Sequence, residues 1–299
     1  MPQDSEKFRF LRLPWLATQE VIRSMALQEI FFLSLTSARA RTLLNSFLPK
    51  SYFHIEFSLF ETQKITLESP AMSSKKLVIK QGDLKYGVEA LMTHLAEFFN
   101  LPKISLRVDT RKNVAMRVLN HGKRLKLPIQ MICLTPHQSS MPPAEVYRAL
   151  LNEGPRIQSL ILVCKAHPNF EYRPIVEFNL DSLQIHDAHW AHLEDYINCR
   201  HVLLSYMTPG LNFKYESSRR LNEFFKTWKG SRCRLEHLEL HFLNRYSINF
   251  DKVIHGLDGI NFMIDGGFGD FRSIEIHRED GKRAIIKYTI WDLTLKVIH

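Results

Sequence analysis

Apolar positions along the chain change period near residue 50. Before it they recur at helical spacing, with Leu11, Leu13, Leu16, Val21, Ile22, Met25, Leu27, Ile30, Phe31, Phe32, Leu33 and Leu35 crowded into a short stretch. The breaks in the pattern predict three helices. Pro14 stands at the first start, where a missing N–H costs nothing. Thr18 is expected as an N-cap, with Glu20 in the first turn facing the helix dipole. A second helix is expected over 27–35, and Ser37 is expected to cap a third carrying Leu43, Leu44 and Phe47 on one face. About forty residues cannot bury this much apolar surface alone. The surplus needs cover from the rest of the chain or from a partner.

After the break at Pro49-Lys50-Ser51, short strands are expected at 54–59, 64–67 and 76–79, with a loop through Pro70 and a turn at 81–83. Leu84, Val88, Leu91, Met92, Leu95, Phe98 and Phe99 then mark a helix, and 104–108 a strand. Pro142-Pro143 opens another helix, which Asn152 to Pro155 closes. The continuous apolar run 157–164 predicts a strand covered on both faces. Strands follow at 182–185, 201–205, 236–242 and 273–277. Between them lie an amphipathic helix over 217–229, with Leu221, Phe224, Phe225 and Trp228 on one side, and a short helix over 250–257.

A weak repeat runs through this region. Cys199-Arg200 and Cys233-Arg234 precede successive strands, and Leu238 to His241 recurs as Ile274 to His277. One strand and one return per unit is the arithmetic of an irregular, leucine-rich-repeat-like arc. In such an arc His237, Glu239, His241, Glu275 and His277 share a polar face with Ser273 and are the candidate target-binding residues. The chain ends in a β-ribbon. A three-residue loop, Glu279 to Gly281, would pair Ile276 with Ala284 and Ile274 with Ile286, keeping apolar side chains together. A turn or bulge at Ile290-Trp291 must reconcile the phases on either side.

Leu13-Pro14, Val21-Ile22, Met25, Leu33-Ser34-Leu35 and Ser37-Ala38-Arg39 together resemble an F-box. More narrowly, 13–25 and 33–41 look like the F-box of the large nematode-expanded family, in which an F-box-associated domain of the second type follows. Leu183-Gln184-Ile185, Asn198 to Val202, Leu221 to Trp228 and Leu235 to Leu238 are similar to that domain, about residues 178–245. The resemblance implies an F-box over 8–48 and a target-binding region over 51–299. It implies that Leu13, Pro14, Val21, Ile22, Met25 and Leu33 contact a Skp-type adaptor, and through it a cullin. The segment 51–165 carries no such motif.

Composition narrows the alternatives. A net charge of +9 admits nucleic acid, an acidic protein or a phosphorylated peptide as partner. Arg117, His121, Lys123, Arg124 and Lys126 form the strongest basic cluster, and Arg219, Arg220, Lys226 and Lys229 a second. No nucleic-acid-binding signature accompanies them, so a solvated face is the expectation and a basic nucleic-acid-binding protein the rival reading. Cys133, Cys164, Cys199 and Cys233 form no C-x-x-C pair, which argues against zinc and against a disulfide scaffold. Cys164 is expected in the core. His186, His189 and His192 diverge too far on a helix to share one metal and are expected on a polar loop with a half-buried Trp190. The glycines between Asp265 and Asp270 precede a strand, not a helix, and are flanked by carboxylates, so they suit no phosphate. No signal peptide or membrane-length apolar run is visible.

The expectation is therefore an α+β chain: a three-helix F-box, an irregular leucine-rich-repeat-like arc and a terminal β-ribbon. It would serve a Skp–cullin–F-box ubiquitin ligase as the subunit that holds a target protein. It would do no chemistry itself, need no cofactor or metal, touch no membrane, and work in the reducing cytoplasm or nucleus.

Overall fold

The computed structural model describes residues 13–48, 53–60, 63–68, 76–80, 87–99, 102–110, 112–137, 141–206, 217–242, 248–264, 271–289 and 291–298. The expected Pro70 loop, the turn at 81–83, Leu11, Leu84, Ile290 and the glycines at 266, 267 and 269 lie outside these residues. The fold is mixed α/β, and the chain forms two compact units. One holds residues 1–106 and 117–129, the other 107–116 and 130–299.

The first unit begins with α1 (Trp15–Ser24), α2 (Leu27–Thr36) and α3 (Ala38–Phe47). Helix α1 starts a turn earlier than Thr18 predicts. Pro14 holds the cap position, and Thr18 lies inside the helix, buried, donating its hydroxyl to the Pro14 carbonyl at 3.1 Å. Glu29 reaches back to the Ala26 N–H at 2.7 Å and so satisfies one free donor at the start of α2. Ser37 caps α3 as expected, its Oγ accepting from Ala40 N at 3.1 Å. Next come β1 (His54–Leu59), β2 (Gln63–Glu68), β3 (Lys76–Lys80) and α4 (Val88–Phe98). β4 (Lys103–Asp109) and α5 (Lys112–Arg124) each cross from one unit to the other. Strand order in this unit is β4-β1-β2-β3, with β1, β2 and β3 antiparallel.

The three N-terminal helices are tied to the rest of their unit. Ser34 Oγ lies 2.9 Å from His94 Nε2, and Asn45 Nδ2 donates to the Phe98 carbonyl at 2.7 Å. Arg41 pairs with Glu97 at 3.4 Å. The units divide the chain at 106/107, 116/117 and 129/130.

The second unit holds β5 (Ile129–Thr135), α6 (Ala144–Leu151), β6 (Ser159–Leu162), β7 (Ser182–Ile185) and β8 (His201–Tyr206). It continues through α7 (Ser218–Gly230), β9 (His237–Phe242), α8 (Phe250–Ile254), β10 (Gly259–Ile264), β11 (Phe271–His277), β12 (Arg283–Tyr288) and β13 (Asp292–Ile298). Strands β5 to β9 are parallel and lie side by side in chain order; β13, β12, β11 and β10 then extend the sheet antiparallel. Each of these parallel strands thus pairs with the next one in the chain, although among the described residues an α-helix lies only between β5 and β6 and between β8 and β9.

Alternation along each strand sorts the side chains. Ile132, Leu160, Leu183, Val202 and Leu238 stand in one row across β5 to β9, and Leu134, Leu162, Ile185, Leu204 and Leu240 in the next, all buried. Tyr147 of α6 and Leu221, Phe225 and Trp228 of α7 are buried too, and the Trp228 indole donates to the Leu235 carbonyl at 3.0 Å.

Several expectations are corrected here. The run 157–164 is not covered on both faces: within β6 the buried Leu160 and Leu162 alternate with half-exposed Ser159 and Ile161. The two Cys-Arg pairs do not occupy equivalent places, because His201 aligns with His237 and hence Cys199 with Leu235. The likeness of 238–241 to 274–277 does not mark successive repeats, since β12 and β13 lie between β9 and β11. Trp190 is buried, not half-buried, edge-on to Tyr147 and Phe170, and Asp187 beside it accepts from Ala166 N.

The ribbon has the expected register. Ile276 faces Ala284 and Ile274 faces Ile286, with Gly281 at φ 88° and Arg278 N donating to the Lys282 carbonyl. Only glycine takes that φ without steric cost.

Candidate functional site

Two surfaces collect the residues singled out by sequence. The first is on α1 and α2. Trp15, Leu16 and Phe32 are 59%, 72% and 42% exposed. Trp15 rests against Phe47, their ring centres 4.1 Å apart. Of the residues implied by the F-box resemblance, Pro14 is exposed and Leu13, Val21, Met25 and Leu33 are half-exposed. Ile22 departs from expectation: at 3% exposure it belongs to the core beside Ile30, Phe31 and Leu44, and offers nothing to a partner. The helical phase explains this, because Ile22 lies one turn beyond Thr18 on the same buried side of α1. Trp15, Leu16 and Phe32 are the large apolar side chains exposed on α1 and α2.

The second surface is the face of strands β6–β9 opposite the buried rows; on β5 the same row ends in the buried Cys133. Ile161, Gln184, Leu203 and Glu239 form one row across it, continued by Thr294 and Lys287. Ser182, His201, His237 and Lys296 form another. These side chains are half-exposed or exposed. A parallel sheet ordinarily buries both faces, so an uncovered one is a feature in itself. His237 and His241 flank Glu239, at 3.5 and 2.9 Å. The other His241 nitrogen lies 2.7 Å from Asp292. On β11, Glu275 lies 3.4 Å from both His277 and Arg283. The structure therefore brings His237, Glu239 and His241 into one cluster and leaves Glu275 and His277 in a separate one, two strands removed. Ser273, expected beside them, is 8% exposed.

Neighbouring histidines shape one another. Burial and the nearby His241 lower the His186 pKa, whereas burial, Arg200 and His237 lower that of His201. Ser205, His241 and Asp292 also stand in one row, the residue types of a hydrolase triad. His241 Nε2 faces Glu239 Oε1, so the ring is clasped between two carboxylates. Among the described residues no group of three or more His, Cys, Asp or Glu could hold a metal ion. Cys164 and Cys199 lie in the core, and burial pushes both thiols up to about 12, far from a nucleophilic range.

The basic clusters are largely engaged. Arg117 pairs with Glu89, and Arg124 meets His121 at 2.9 Å. On α7, Arg219 pairs with Glu223, and Lys229 donates to Asp258 and to the Leu257 carbonyl. This is the pattern of solvated, internally paired faces.

The chain is similar to a nematode protein. The Skn-1 dependent zygotic transcript 15 protein of Caenorhabditis elegans is 23% identical over 336 aligned positions, which cover 93% of each chain. No family model matches the sequence. No solved structure matches it either. Among the described residues no helix is long and apolar enough to cross a membrane.

Proposed function

We propose that this protein is the target-binding subunit of a Skp–cullin–F-box ubiquitin ligase, with α1 and α2 docking on the Skp-type adaptor. The observation that carries the reading is the exposure of Trp15, Leu16 and Phe32 on α1 and α2, together with exposed Pro14 and half-exposed Leu13, Met25 and Leu33 in the same stretch. It falls within the stretch whose sequence resembles an F-box. Similarity along nearly the whole chain to a nematode protein is compatible with the nematode-expanded branch of that family. The open face of β6 to β9, with Glu239 and its two histidines, suits a polar protein contact. A ligase subunit of this kind reacts with nothing. It holds a target lysine near a ubiquitin thioester and so replaces a bimolecular search. Such an assembly works in the cytoplasm or nucleus.

The test is co-purification of the full chain with a Skp adaptor, with circular dichroism in parallel. Wild type is expected to bind. Leu16→Glu with Phe32→Glu places unpaired charge in the contact, at a cost of several kcal/mol, so binding is lost while the spectrum is unchanged. Ile22→Glu, by contrast, damages the fold itself. A folded wild-type chain that ignores the adaptor at micromolar concentration refutes the assignment.

A further inference from the structure

Among the described residues, the most exposed large apolar side chain lies on neither surface. Ile175 is 95% exposed and Val176 60%, at the tip of the return between β6 and β7. Their loop is held from both sides. Before the tip, the Tyr172 hydroxyl donates to Asn152 Oδ1 at 3.0 Å, and Arg173 Nη1 donates to both oxygens of Asp195 at 2.8 and 2.9 Å. After it, Glu177 accepts from Asn198 Nδ2 at 3.1 Å, and Phe178 is fully buried. The Phe178 ring fills the space where a Cβ on Gly154 would stand. Pro174 fixes one further backbone angle within the loop. Two apolar side chains are thus presented on a braced support, which removes much of the ordering cost of a contact.

Arg173 also lines a cleft of about 360 Å³ between α7 and the turn at 193–196. Ile197 and Phe224 give it an apolar lining, and Arg173, Arg220, Glu194 and Glu223 its charged rim. The knob and the hole are therefore neighbours on one unit. We infer that this patch is a self-association surface, in which a two-fold rotation seats the Ile175-Val176 knob of each copy in the cleft of the other. Adjacent knob and hole are the requirement for such a self-complementary contact. Charge selects the second copy as occupant. The chain carries +9 overall, which opposes self-association through most of its surface. Here the rim is balanced, with Arg173 paired to Glu194 and Asp195 and Glu223 to Arg219, so a copy of the same patch meets no net like charge. The inference stands independently of the ligase reading.

The test is sedimentation equilibrium of the full chain. A patch of this size implies a weak dimer, with a dissociation constant of about 10–100 μM. Ile175→Asp with Val176→Asp removes the knob and is expected to weaken the dimer at least about tenfold. Thr227→Trp, at an exposed α7 position on the cleft, plugs the hole with the knob intact and has the same effect. Mixing these two variants leaves one knob facing one open hole, so the heterodimer forms more tightly than either variant with itself. A wild type that stays monomeric at about 200 μM overturns the proposal. So does a knob variant that dimerises as tightly as wild type, or a mixture no tighter than its components.

Discussion

Arg278 is 3% exposed, yet it carries a full charge at the ribbon turn. Its guanidinium donates to both oxygens of Asp280, at 2.8 and 2.6 Å, and to the Cys233 carbonyl at 2.9 Å, while lying over the Trp228 ring. The same pair holds the Asp280 carboxyl down at about 2. A turn that looks polar in sequence is thus joined to the core beneath α7. His94 is the converse case, a titratable group whose surroundings resist charge. Burial, and then Arg41, lower its pKa to about 4 from an ordinary 6.5. The unfolded chain therefore takes up a proton that the folded one refuses. Stability from this site is fully present above pH 6.5 and declines as pH falls toward about 4. His94→Gln can still bond Ser34 but cannot titrate, so its urea midpoint is expected to drop less than that of wild type between pH 7 and pH 5. Equal losses in the two proteins would remove His94 from the acid response.

At the scale of elements, the uncovered sheet face makes a sharp demand of adjacent residues. Leu203 and Leu204 follow one another on β8, pointing to opposite sides. Leu204 is fully buried, and Leu204→Ala is expected to cost about 2–4 kcal/mol in chemical denaturation. Leu203→Ala, on the open side, is expected to cost less than about 1 kcal/mol. Equal costs would mean that something covers this face. Most strands here were legible because their apolar residues alternate or run together: 54–59, 182–185 and 236–242 each lie within a residue of the observed bounds. The ribbon register was legible because only one loop length keeps Ile274, Ile276, Ala284 and Ile286 on a common face. By contrast, no element was expected between 110 and 141, where α5 and β5 lie, nor over β10. In α5, the apolar Ala115, Val118 and Leu119 are interleaved with Arg117, Asn120 and a glycine. Gly122 reads as a breaker, but a Cβ there would come within 3.2 Å of Met92 and Ile129, so the glycine serves a close approach inside a helix. The expected double cover of 157–164 failed because an uninterrupted apolar run does not reveal which half of it faces outward. In the candidate adaptor face, the F-box-like motif included Ile22 and passed over Trp15, Leu16 and Phe32; a motif records residue types, whereas helical phase decides which of them turn outward.

For the whole molecule, the N-terminal helices belong to the same compact unit as α4 and β1 to β3. Helices α1 to α3 contribute Ser34, Arg41 and Asn45 to contacts with α4, and α2 also packs on β3. A chain beginning at residue 51 would remove the cover of α4 around His94 and Phe98 and of β3 in one step. It is expected to lose the near-ultraviolet circular dichroism of the first unit and to aggregate, whereas the outer-face variants Leu16→Glu and Phe32→Glu remain folded. A stable, soluble 51–299 fragment with native strand content would show instead that the helices form an independent domain.

The path through β4 and α5 also has a temporal side. Synthesis delivers the chain from its N-terminus, and domains generally fold as they emerge. Here the first unit lacks its last piece, 117–129, until residues 107–116 of the second have already passed. Those ten residues must wait for β5 and all that follows before their own unit exists. A nascent chain halted after residue 106 has the three helices and most of a sheet, but not the α5 segment against which Glu89 and Thr93 bond. Translation speed through this short stretch, and chaperone access during it, therefore bear on the yield of native protein in a way that neither finished unit discloses.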